Sequence, residues 1–184
     1  MYSCSPACTR ARVCVPQAGM ERDDEGYLCW TTTWNEHNGN VGVIVNAVRA
    51  AGDDVDHFDD YELTLLFIAC LRGTPDDVAA VLSAGASPVL PILCDGQLGP
   101  CPVLYVFNAL EKDTVLPKLR LLVAAGAPLD VTDDAQTTVW KNAESLAEPA
   151  RHEVVQWLGE QALFRDLDGF DGPRVPDGPS DFFE

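Results

Sequence analysis

Basic residues are scarce in this chain. Lysine and arginine number 12 against 29 aspartates and glutamates, a net charge of −17 over 184 residues. Binding a phosphate backbone needs a basic face, so nucleic acid is disfavoured as a direct partner. The same deficit disfavours an anionic membrane surface. No stretch approaches 18 uninterrupted apolar residues, which argues against a membrane-spanning helix. No apolar run of secretory type stands near the start. These absences point to an intracellular protein of the cytoplasm or nucleus. Seven cysteines at irregular spacing agree, since free thiols are tolerated in reducing compartments.

Catalytic signatures are missing as well. The chain has no Gly-x-Ser-x-Gly elbow, no phosphate-binding loop and no paired-histidine metal helix. Its three histidines, His37, His57 and His152, are far apart. Cys4, Cys8, Cys14 and Cys29 invite a zinc reading, but no Cys-x-x-Cys pair occurs among them. The expectation is a non-catalytic protein with no cofactor and no metal. The alternative is a metal- or thiol-dependent protein that uses the N-terminal cysteines.

What the chain does have is recurrence. Gly52, Gly85 and Gly126 each close an apolar stretch, ending Arg-Ala-Ala-Gly, Leu-Ser-Ala-Gly and Val-Ala-Ala-Gly, with spacings of 33 and 41 residues. A period of that size indicates stacked helical units. The clearest unit starts at Thr64, whose hydroxyl can cap a first helix through Arg72, with Gly73 closing it in a left-handed conformation. Pro75 suits the first position of a second helix, and Asp76 and Asp77 favour its dipole. Val78, Val81 and Leu82 give that helix one apolar face, and Gly85 ends it. Two such short helices cannot bury their faces alone and need neighbours on both sides.

The segment Thr64-Leu65-Leu66-Phe67-Ile68-Ala69 resembles the Thr-Pro-Leu-His-x-Ala opening of the ankyrin repeat, with Leu65 and Phe67 in place of the Pro and His. Asp59 matches the aspartate that opens the turn between repeats, and Ala84-Gly85-Ala86 matches the close. Thr138-Val139-Trp140-Lys141-Asn142-Ala143 fits the same opening, again with an aspartate, Asp133, five residues earlier. Pro102 to Phe107 opens a third unit, whose second helix begins at Pro117. Extra residues are placed between Ala86 and Cys101 and near Glu111 to Pro117. The first unit is irregular, with Thr31 to Asn38 a poor first helix. The resemblance implies an all-α solenoid of three to four helix-turn-helix units over residues 29–164, with units at about 29–57, 58–95, 96–131 and 132–164. Tails at 1–28 and 165–184 flank it and are read as disordered; Met20, where the composition turns acidic, is a candidate start.

It also implies a scaffold that binds another protein through a concave face and projecting fingers. The expected contacts are Glu62, Leu65, Gln136, Thr137 and Val139. The acidic run Asp53, Asp54, Asp56, Asp59, Asp60 and Glu62 falls on a finger. It reads as a solvated turn, as a contact for a basic partner or as a calcium site, though it lacks the glycine and distal glutamate of a calcium loop. The net charge favours a partner with a basic patch. The apolar turn from Ser87 to Gly96 reads either as a partner contact or as a loop folded back on the helices. Cys70, Tyr105, Trp140 and Trp157 are expected to be structural. The acidic tail carries Phe170, Phe182 and Phe183, and reads as a solubilising or docking segment, or as a strap over the groove.

Overall fold

The structure, a computed structural model, describes residues 29–51, 54–94, 97–133 and 135–167. The expectations for Cys4, Cys8, Cys14, Met20, Gly52, Asp53 and the tail phenylalanines lie outside those residues. The described chain is helical. Its α-helices are α1 (Trp30–Glu36), α2 (Val41–Ala51), α3 (Leu65–Arg72), α4 (Pro75–Ser83), α5 (Pro102–Tyr105), α6 (Val115–Ala124), α7 (Val139–Glu144) and α8 (Ala150–Leu167). Two short 3₁₀ turns, Val106–Asn108 and Lys112–Thr114, lie between α5 and α6. Among the described residues, the only strands form a ribbon, β1 (Leu93–Cys94) paired antiparallel with β2 (Gln97–Leu98), and an isolated antiparallel bridge joins Thr132 to Thr138. Both supposed insertions therefore hold local structure of their own.

The helices contact one another in two registers. Consecutive helices pair as α1 with α2, α3 with α4, α5 with α6 and α7 with α8. Alternate helices also touch: α1, α3, α5 and α7 in one series, and α2, α4, α6 and α8 in the other. α3 sits in the middle and is apolar all round, with Leu65 through Cys70 buried. A helix without a polar face has to be enclosed, and neighbours on three sides enclose this one.

Local chemistry accounts for the helix ends. Thr64 Oγ1 accepts from the Phe67 N–H (3.3 Å) and Thr138 Oγ1 from the Lys141 N–H (3.1 Å). Thr74 and Asp77 form a reciprocal capping box at Pro75. Gly85 and Gly126 follow α4 and α6 with φ of 105° and 101°. In both places the next alanine returns an N–H to the last turn, Ala86 to Val81 and Ala127 to Leu122. The left-handed backbone favours glycine there, because a side chain would crowd the carbonyl.

Three expectations change. Gly73 is not left-handed but extended, with φ −80°. A Cβ at this position would lie 2.9 Å from the Ala69 carbonyl and 2.9 Å from the Trp34 ring, so glycine is needed for close packing. The stretch from Thr31, expected to make a poor helix, forms α1 with Trp30, Thr33 and Trp34 buried. α6 begins at Val115, two residues before Pro117, which sits within its first turn. One buried polar contact ties distant elements together. Lys118 of α6 is enclosed and donates from Nζ to the Cys70 carbonyl in the last turn of α3 (3.0 Å). Carbonyls there lack helical partners, and a cation there complements the helix dipole.

Candidate functional site

The loops entering α3, α5 and α7 form the candidate recognition edge. Two of them share one turn. Asp59 and Asp133 each accept, through Oδ1, the N–H four residues on, from Leu63 and Thr137, both at 2.8 Å. Each also donates its own N–H to the carbonyl of that same residue, at 2.9 and 3.2 Å. Glu62 and Gln136 donate back to the Asp59 and Asp133 carbonyls. Both then sit at positive φ, 63° and 55°. The aspartate side chain replaces backbone partners that the turn cannot supply. Glu62 and Gln136, expected as contact residues, are therefore the left-handed hinges of these turns.

Asp59 does more than its counterpart. It is only 3% exposed. Its Oδ2 accepts the N–H of Trp30 (2.9 Å), the first residue of α1, and Oδ1 accepts from Tyr61 (3.0 Å) as well as Leu63. The residue before α1, Cys29, supplies no side-chain cap. Asp59 therefore serves as that helix's cap from 29 residues away. Burial pushes its carboxyl up to about 6, against the opposing pull of the Trp30, Leu63 and Tyr61 N–H groups; the charge of Asp60 adds to the rise. The acidic run is thus not a uniform solvated finger, and Asp59 offers nothing to a partner.

The remaining acids divide further. Asp56 is half-buried, and both its carboxylate oxygens receive the Ser87 N–H, at 2.8 and 3.1 Å. Burial raises its pKa, the Ser87 N–H opposes that, and the charge of Asp54 adds to it. Asp54 is exposed and accepts the Asp56 N–H (3.0 Å). Asp60 is exposed and Glu62 partly so. Asp53 lies outside the described residues. Leu65 and Val139 are fully buried, which corrects their placement on the recognition surface. Each opens a helix whose apolar side faces the core, and the unbroken apolar run from Leu65 to Cys70 carried that signal. Gln136 is exposed and Thr137 partly buried, its N–H committed to Asp133.

Sequence reasoning passed over Tyr61, an aromatic inside the acidic run that is 44% exposed. Val89 in the apolar turn is 48% exposed, whereas Ile92 is buried in the core. Leu93 donates its N–H to the Glu62 carbonyl (3.1 Å), so this turn both folds back on the helices and shows the Val89 side chain. The Phe67 and Tyr105 rings meet at a tilt of 39° with their centroids 3.6 Å apart. Cys70 is buried and its thiol is pushed up to about 12 by burial, with the Lys118 charge opposing.

Charge along this edge has one sign. The loop segments 52–64, 86–101 and 128–138 contain six, one and three acidic residues respectively, and no lysine or arginine. On the other helix series, a cleft of about 310 Å³ between α6 and α8 is lined by Leu116, Arg120, Glu153, Gln156, Trp157 and Glu160. It mixes both signs and selects neither. Among the described residues there is no group of three or more histidines, cysteines or acids placed to hold a metal ion, and no helix is long and apolar enough to cross a membrane. No protein-family model matches the chain, and no curated protein matches it significantly.

Proposed function

We propose that this chain is a non-catalytic interaction module of ankyrin type, a scaffold, adaptor or inhibitor, that binds a protein with a basic patch along its loop edge. The observation that carries this reading is the charge of the edge: three successive loops without a single lysine or arginine. The shared turns at Asp59 and Asp133, the matching glycine ends and the two series of helix contacts support stacked units that hold those loops side by side. A rigid series of loops lowers the ordering cost of binding. One-signed charge speeds encounter with an oppositely charged surface.

The test is affinity capture with the full chain against the variant Asp54→Asn, Asp60→Asn, Asp130→Asn. These three side chains are exposed, so the changes remove charge without removing the buried caps. Asp54→Asn also keeps the acceptor oxygen that receives the Asp56 N–H. A basic protein held by the native chain and weakened in the variant is the expected result. Binding that survives unchanged in the variant and at high salt would overturn the electrostatic reading.

A further inference from the structure

The C-terminal end of the helix series is open at one aromatic side chain. Leu66, Leu104 and Trp140 each stand second in their helix's opening after Thr64, Pro102 and Thr138. Leu66 is 1% exposed and Leu104 3%, but Trp140 is 39% exposed. The difference follows from neighbours. α3 is covered by α5, and α5 by α7, but α7 is the last of its series among the described residues, and its main helix contacts are with α5 and α8. Next to Trp140, Lys141 is exposed, and no carboxylate among the described residues pairs with it.

We propose that residues 168–184 of the same chain cover this end, placing phenylalanine against Trp140 and carboxylate against Lys141. The segment begins where α8 stops, at Leu167. Its 17 residues can span up to about 56 Å when extended, twice the roughly 27 Å length of α8, so every part of α7 is within reach. Its composition fits both features of the site. Phe170, Phe182 and Phe183 are its aromatics, and Asp168, Asp171, Asp177, Asp181 and Glu184 outnumber the single Arg174. An offset or edge-on aromatic pair contributes beyond simple area burial. The contact is intrachain, so the tail acts at high effective concentration without a partner.

Tryptophan fluorescence tests this in the full chain. Trp30, Trp34 and Trp157 are buried, so acrylamide quenching reports mainly on Trp140. The variant Phe170→Ser, Phe182→Ser, Phe183→Ser keeps the chain length and changes none of the described residues. The expected result is weak quenching in the native chain and a Stern–Volmer slope at least doubled in the variant, with the same helical circular dichroism. Trp140→Phe in the variant background should abolish the increase. Equal slopes for native chain and variant would overturn the proposal. So would protection that disappears on dilution, which would assign the end to a second copy. Neither result bears on the acidic edge, so the two readings fail separately.

Discussion

Replacing Asp59 is the sharpest perturbation that the structure offers. Alanine leaves three N–H groups without acceptors: that of Trp30, buried at the start of α1, and those of Tyr61 and Leu63, partly buried in the turn. An unsatisfied buried donor costs about 1–3 kcal/mol and a partly hydrated one less, so Asp59→Ala should lose about 2–5 kcal/mol. Asparagine can keep the two turn bonds through its carbonyl but sets its amide nitrogen against the Trp30 N–H, which gives a smaller loss of about 1–3 kcal/mol. The pH dependence separates the cap from generic packing. A carboxyl at about 6 when folded, against its ordinary 3.8, binds protons more tightly in the folded state. Its contribution is therefore fullest below the unfolded value and is lost as pH rises through about 6. Between pH 5 and pH 7 this amounts to about 1.4 kcal/mol of lost stability. Urea unfolding at several pH values in that window measures it. Asp59→Asn should flatten the slope. A native-like slope in that variant, or an Asp59→Ala protein within about 0.5 kcal/mol of the native chain, would refute the buried-cap account.

Two further outcomes follow from single positions. Gly126→Ala, at φ 101° with open space around it, should cost about 1 kcal/mol through backbone strain alone, whereas Gln136→Gly at φ 55° should be neutral or stabilise by up to about 1 kcal/mol; thermal melts of the pair check the opposite signs. Lys118→Met keeps the stem but removes the ammonium from the Cys70 carbonyl, so chemical denaturation should show a loss of about 1–2 kcal/mol, the bond being partly offset by the cost of burying charge. Burial lowers the Lys118 pKa, so the native chain's stability should rise with pH toward the unfolded value of 10.5, a rise the methionine variant should lack.

What the sequence determined by itself is local. A threonine before an apolar run caps it, a proline after a threonine begins the next helix, and a glycine after the alanine that ends a helix turns left-handed. Thr64, Thr138, Pro75, Gly85 and Gly126 do this, because caps and turns are settled by partners within about one helical turn. The helical character and the placement of the long loops were legible for the same reason. Gly73 was misread because its constraint is close packing against the Ala69 carbonyl and a ring of α1, 39 residues away in sequence, and not its own backbone angle. Burial was decided only by the tertiary structure. Asp59 and Asp60 are adjacent acids, yet one caps a helix begun 29 residues earlier and the other faces water. Leu65 and Val139 were placed on the surface by their position in a motif and moved to the core by the helices around them. Trp140 shares its register with two buried leucines and is exposed because no ninth helix follows it among the described residues. Desolvation and enclosure depend on what the folded chain brings alongside a residue, and no window of neighbouring letters contains that.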